Sequence, residues 1–172
     1  AQKDAAQFAS ENVKGIVLDL RDDPGGLLNA AVDVSSLWLN QGQTVLQEKR
    51  GSTVVQTYQA EGGNVLRGIP TVVLIDGGSA SASEITTGAL HDNKDAYVIG
   101  AKSYGKGVVQ QLINFGDGSQ LKVTIASWYR PDGQNINHKG ITPDQTVTEP
   151  ATATPDNDPQ LQAAETYLAN HQ

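Results

Sequence analysis

The stretch TVVLIDGGSASASEI, residues 71–85, runs from an apolar segment through a glycine pair into a serine-rich turn. TVVLID (71–76) is short, β-branched and bounded by glycine, which fits a buried strand, and a helix is expected over 81–91. Ser81 therefore stands where strand turns into helix. A side chain at such a turn projects clear of the sheet, and the first helical N–H groups beside it have no intrahelical acceptor. Those groups can stabilise an oxyanion.

Outward from this unit, strands and helices alternate. GIVLDL (15–20) reads as a buried strand closed by a Pro-Gly-Gly turn, and LLNAAVDVSSLWL (27–39) carries apolar residues at helical spacing. TVLQEKR and STVVQTYQA flank Gly51 as a hairpin with one wet face. AYVIG (96–100), VVQQLIN and LKVTIASWY (121–129) read as further strands, with Asp117-Gly118 as a turn. Residues 1–13 read as a helix packing Phe8 and Val13 on the body. The pattern implies a mixed α/β domain, a partly parallel sheet sandwich with helices. The core is expected over 1–148, an extended Pro- and Thr-rich linker over 149–157, and a C-terminal helix over 158–172, capped by Asp158 with Pro159 in its first turn.

Composition narrows the function classes. The chain has 172 residues, 38% of them hydrophobic and 5% aromatic, with 18 glycines, so an aliphatic core and many turns are expected. A net charge of −7 argues against a nucleic-acid partner. No apolar run approaches the roughly 20 residues of a transmembrane helix. The opening AQKDAAQFAS lacks the apolar segment of a signal peptide, and methionine is absent, which suggests a processed chain or a fragment. Without cysteine, thiol catalysis and disulfides are excluded.

Serine attacks a carbonyl only if a base takes its proton. His91, His138 and His171 sit in no recognisable triad motif, and His91 closes the helix that Ser81 opens, about 15 Å away. His91 suits a helix C-terminus better than a catalytic base. Lys106, in GKG, is the alternative, provided its amine is desolvated; flanking Gly105 and Gly107 would let it be buried without crowding. Ser79 reads as a turn residue, Ser83 as pointing away from the mouth, and Glu84 as the far half of a capping box with Ser81. Oxyanion donors are expected from the backbone of Ala82 and of Gly25 or Gly26.

The SASE tetrad at Ser81, Lys106 in GKG, DLRDDPGG (19–26) and KGITPD (139–144) together resemble the tail-specific, or C-terminal processing, serine peptidase family, over about Lys14 to Asp144. The resemblance implies Ser81 as nucleophile, Lys106 as general base and Gln110 as the partner that supports the lysine. It also implies a fold related to the crotonase and Clp-type folds, no cofactor, a polypeptide substrate and an extracytoplasmic setting such as a bacterial periplasm or envelope. Asp92 stands where some members carry an acidic residue, although in HDNKD it also makes an ordinary helix stop. Family members commonly carry a PDZ domain for substrate recognition, and no PDZ-sized segment is present here. They also commonly have asparagines where this chain has Asp22 and Asp23; negative charge there would disfavour a neutral lysine unless Arg21 offsets it.

Two other readings remain open. A catalytically inactive peptide-binding or scaffold homologue would keep the fold without the reaction. GAKSYGKG (100–107) approaches a phosphate-binding loop, but Gly107 replaces the magnesium-binding hydroxyl and a strand is expected to follow. Asp19, Asp22 and Asp23 lack the further ligands of a metal site.

Overall fold

The computed structural model describes residues 1–148, 154 and 157–171. In chain order the elements are α1 (Gln2–Glu11), β1 (Ile16–Asp19), α2 (Leu28–Ser35), β2 (Thr44–Arg50), β3 (Thr53–Gln59), β4 (Thr71–Ile75), α3 (Ala82–Asp92), β5 (Tyr97–Gly100), β6 (Val108–Asn114), β7 (Gln120–Tyr129), β8 (Gln145–Thr146) and α4 (Pro159–Asn170). They form two four-stranded sheets, one ordered β1-β4-β5-β8 and the other β3-β2-β7-β6. The first is parallel throughout and the second antiparallel. The mixed α/β class expected from the sequence is therefore the observed one.

The parallel sheet is covered on both faces, which is why β4 is apolar without interruption. Val73 and Ile75 point into the larger core with Leu39, Leu46 and Leu90, while Val72 and Leu74 point to the opposite face with Ile99, Ala164 and Leu168. Full burial of each such side chain stabilises by roughly 1.5–3 kcal/mol. The second face is supplied by α4, whose Asp158 carboxylate caps Leu161 N–H at 2.9 Å, as the Asp-Pro pair predicts. On the first face, α3 is enclosed, with Ala82 to Leu90 all buried. Its small residues permit this. A Cβ added at Gly88 would come within 3.1 Å of Arg130 Cγ, so the arginine crosses the helix where the side chain is missing.

Several expectations need correction. In α1 the buried residue is Ala5; Phe8 is 37% exposed, while Val13 does pack on the core. The helix expected over 27–39 ends at Ser35, and Leu37, Trp38 and Leu39 reach the core from the turn that follows. There the Trp38 indole donates to Thr71 Oγ1 at 2.9 Å, fixing the turn to the start of β4. Short β8, beside β5, has no apolar signature and was not legible. The expected linker at 149–157 lies outside the described residues except for Thr154 and Asn157. Among the described residues no helix is long and apolar enough to cross a membrane.

Candidate active site

The turn after β4 places Ser81 as the N-cap of α3 with φ 57° and ψ −115°. A side-chain-bearing residue in such a conformation costs on the order of 1–3 kcal/mol, so its surroundings must hold it. They do so from the 19–26 segment. Ala80 N–H and the Ser83 hydroxyl both donate to the Asp23 carbonyl, at 3.0 and 3.1 Å. The Ser79 hydroxyl donates to the Leu20 carbonyl at 2.7 Å, and Tyr104 N–H to the Ser79 carbonyl at 3.0 Å. Ser79 is thus a turn residue and Ser83 a strut, which leaves Ser81, 6% exposed, at the turn's apex.

Gly25 makes the closest approach to this turn. Its φ is +85°, and a Cβ there would lie 2.4 Å from the Ala80 carbonyl oxygen and 2.6 Å from Ala82 N. Its own N–H donates to Asp23 Oδ1 at 2.9 Å, so Gly25 contributes proximity and not a free donor. Among the described residues the N–H groups of Ala82 and Gly26 make no hydrogen bond. These two remain the available oxyanion donors.

Lys106 arrives on the loop between β5 and β6, and one carboxylate ties that loop to the serine turn. Glu84, 1% exposed, accepts from Ser81 N–H at 3.0 Å and Lys106 N–H at 2.9 Å on Oε2. Its Oε1 accepts from Gly105 N–H at 2.8 Å and the Ser103 hydroxyl at 2.5 Å. The backbones of Ser81 and Lys106 are therefore neighbours on a single oxygen. The capping role expected of Glu84 accounts for one of these bonds and not the other three. Only the topology, which returns β5 beside α3, brings them in.

The expected desolvation of the amine is not seen. Lys106 is exposed, and its Nζ makes no hydrogen bond or ion pair among the described residues. The flanking glycines serve a different purpose from the expected one. A Cβ at Gly107 would lie 2.4 Å from Asn137 N and one at Gly105 2.9 Å from Gly140 N, so both admit the 136–140 backbone. His138 N–H donates to the Gly105 carbonyl at 2.8 Å across that contact.

Gln110 lies on β6, four residues beyond Lys106 and with no described contact to it, and it and Gln111 are both exposed, although one was expected to face inward. The register shifts between Val109 and Gln110, and among the described residues β2 pairs with β7 only over Ser127–Tyr129, so the outer part of the β6–β7 ribbon extends beyond the rest of its sheet. Asp92 is engaged elsewhere. Its carboxylate pairs with Arg130 and His91 and accepts from Asp132 N–H, while His91 Nε2 meets Asp144 Oδ1 at 3.0 Å. The Asp92 bond raises the His91 imidazole above its ordinary value, with burial opposing. Burial pushes the Asp92 carboxyl up, but bonds from His91 and Arg130 bring it below its ordinary range. This cluster fastens the C-terminal end of α3, away from the serine. Arg21 directs its guanidinium to Asp19, Asp158 and Gln160, and neither Asp22 nor Asp23 is among its described partners.

A cavity of about 210 Å³ opens beside the turn, lined by Gly25, Gly26, Ala82, Leu27, Ala31 and Val34 among others. Its largely aliphatic wall suits a small apolar side chain. The phosphate-loop reading of GAKSYGKG fails here. The N–H groups of Gly105 and Lys106 already serve the Glu84 carboxylate, and strand β6 follows in place of a helix.

Comparison with known proteins accords with this geometry. The model of peptidase family S41 matches residues 1–147. A carboxy-terminal-processing protease of Bartonella bacilliformis is 44% identical over 145 residues, 84% of this chain and 33% of its own length. A carboxyl-terminal-processing protease of Synechocystis is 40% identical over 162 residues, 92% of this chain and 38% of its own. Among solved structures, a photosystem II D1 C-terminal processing protease superposes with TM-score 0.81 at 34% identity, over 86% of this chain and 38% of that one. The tricorn protease, at TM-score 0.58 and 14% identity, shares the fold alone, which is of the Clp and crotonase kind. The chain spans about a third of the curated relatives' length. From the match over residues 1–147 and these relatives, the chain belongs to peptidase family S41.

Proposed function

We propose that this chain is the catalytic portion of a serine endopeptidase acting through Ser81 and Lys106. The observation that carries the reading is the Glu84 bridge, which joins the strained serine turn to the lysine loop through one buried oxygen. Ser81 Oγ attacks the scissile carbonyl as Lys106 Nζ takes its proton. The oxyanion forms against Ala82 and Gly26 N–H, the leaving amine recovers the proton from Lys106, and water hydrolyses the acyl-enzyme. Only a neutral amine can accept the serine proton, and a bound polypeptide that covers the exposed Lys106 side chain would displace its water. Gln110, on β6 four residues beyond Lys106, would orient the amine through an uncharged hydrogen bond if the long lysine side chain folds back along the strand.

The substrate is an extended, unfolded or C-terminally tagged polypeptide, with a small aliphatic side chain in the cavity beside Ser81. An extracytoplasmic setting and a PDZ domain for selecting substrates follow the family pattern, and no cofactor takes part. Residues 1–148 form the core, with 149–157 as linker and the 158–172 segment closing the sheet's second face. The scaffold alternative keeps the groove without cleavage. Incubation with casein separates the two: wild type should cleave it and Ser81→Ala, folded by circular dichroism, should not. Equal cleavage by the folded variant refutes the assignment.

A further inference from the structure

A helix cap needs only the Ser81 N–H, yet Glu84 also receives Ser103, Gly105 and Lys106 from a distant loop. At 1% exposure there is no water to replace a lost partner, and leaving a buried donor unmatched costs about 1–3 kcal/mol. The network extends one step further, because Ser103 Oγ also accepts from Ile141 N–H at 2.7 Å. Ser103, the lysine loop and the 140–141 backbone therefore move with Glu84. The Glu84 N–H faces the Ser81 hydroxyl in the capping box, but its carboxylate touches neither Ser81 Oγ nor Lys106 Nζ in any described contact. Its effect is on the backbones that carry them.

We propose that Glu84 is a positioning residue for the Ser81–Lys106 reaction, one carboxylate that fixes the distance between the nucleophile turn and the base loop. This rests on the Ser81–Lys106 reading given above. The same bond that draws the Ser81 N–H towards Glu84 holds the φ 57° turn and leaves the next N–H, that of Ala82, pointing free. A shift of the lysine loop would change how often Nζ reaches the serine without changing the substrate groove. The signature is a loss in kcat with little change in KM.

The two carboxylate oxygens predict an order among variants. In Glu84→Gln, the amide NH2 is tolerated better on the Oε1 side, where the Ser103 hydroxyl can turn to accept and only Gly105 N–H is opposed. The carbonyl then still serves Ser81 and Lys106. Glu84→Asp is a methylene short and cannot reach both segments, and Glu84→Ala serves neither. For the intact 172-residue chain, kcat and KM on an unfolded peptide, the rate of fluorophosphonate labelling and the melting temperature are measured for each. Glu84→Gln should lose on the order of 10-fold in kcat and Glu84→Asp about 100-fold, with KM within about twofold and labelling slowed in step. Ser103→Ala, which leaves the other three bonds, should lose severalfold and supplies the test if the Glu84 variants do not fold. A folded Glu84→Asp or Ser103→Ala with wild-type kcat and labelling overturns the positioning role while leaving the Ser81–Lys106 pair intact. Wild type that neither cleaves nor labels, or wild-type rates in Lys106→Ala, overturns both.

Discussion

Replacing Gly25 by alanine should disable the site through backbone contact alone. The new Cβ would meet the Ala80 carbonyl oxygen at 2.4 Å, Ala82 N at 2.6 Å and Ser81 Cβ at 3.0 Å, at a φ of +85°. Two of these are main-chain atoms of the nucleophile turn, which cannot rotate aside. The left-handed conformation costs about 1–2 kcal/mol, and relieving the overlap typically adds about 1–3 kcal/mol. A loss of about 2–5 kcal/mol is a large part of the roughly 5–15 kcal/mol that holds a domain together. What relaxes is the spacing between the 23–26 loop and Ala82, so the oxyanion donors separate and kcat should fall about 100- to 1000-fold. Gly26→Ala is the control, since nothing lies within 4 Å of its Cβ position and alanine keeps the N–H. Urea unfolding and peptide cleavage are measured for both. A Gly25→Ala protein with wild-type stability and rate, or equal damage from Gly26→Ala, would refute the reasoning.

Lys106→Ala should cost about as much activity as Ser81→Ala, because members of a catalytic unit are not additive, and Lys106→Arg should not rescue, since guanidinium stays charged; an active arginine variant contradicts the general-base role. Gln110→Ala should lower kcat on the order of 10- to 100-fold, and an unchanged rate returns it to an ordinary strand residue. Stability should depend on pH through the cluster at the end of α3. His91, raised by Asp92, contributes fully below its unfolded value of about 6.5 and loses that contribution as pH rises through its higher folded value. Asp92, lowered by His91 and Arg130, contributes above its ordinary range and loses it as pH falls through the lower folded value. Melting curves of wild type and His91→Gln should therefore converge as pH is raised from about 6 to about 9; curves that stay parallel would remove His91 from this role.

What the sequence discloses is the local chemistry of each segment. TVVLI reads as a buried strand because both its faces meet apolar partners, and Asp158-Pro159 reads as a helix start because cap and first turn are adjacent in sequence. Ser81 is legible for the same reason, as a small residue at a strand-to-helix turn. The remainder depends on contacts between distant segments. Glu84 shows only its capping bond in sequence, since Gly105 and Lys106 reach it through the crossover from β4 to β5. Gly105 and Gly107 advertise close approach but not what approaches, and the answer is the 136–140 backbone rather than a buried lysine. Gln110 and Gln111 alternate as strand residues should, yet both are exposed, on a ribbon that among the described residues extends beyond the pairing of β2 with β7.

The most direct test of Ser81 as a nucleophile activated by Lys106 is covalent labelling with a fluorophosphonate, read by intact mass and located by peptide mapping. Wild type should gain one adduct, on Ser81, and folded Lys106→Ala should label far more slowly. An adduct on Ser79 or Ser83, none on a folded wild type that cleaves peptide, or labelling of Ser81 at an undiminished rate without Lys106 would contradict it.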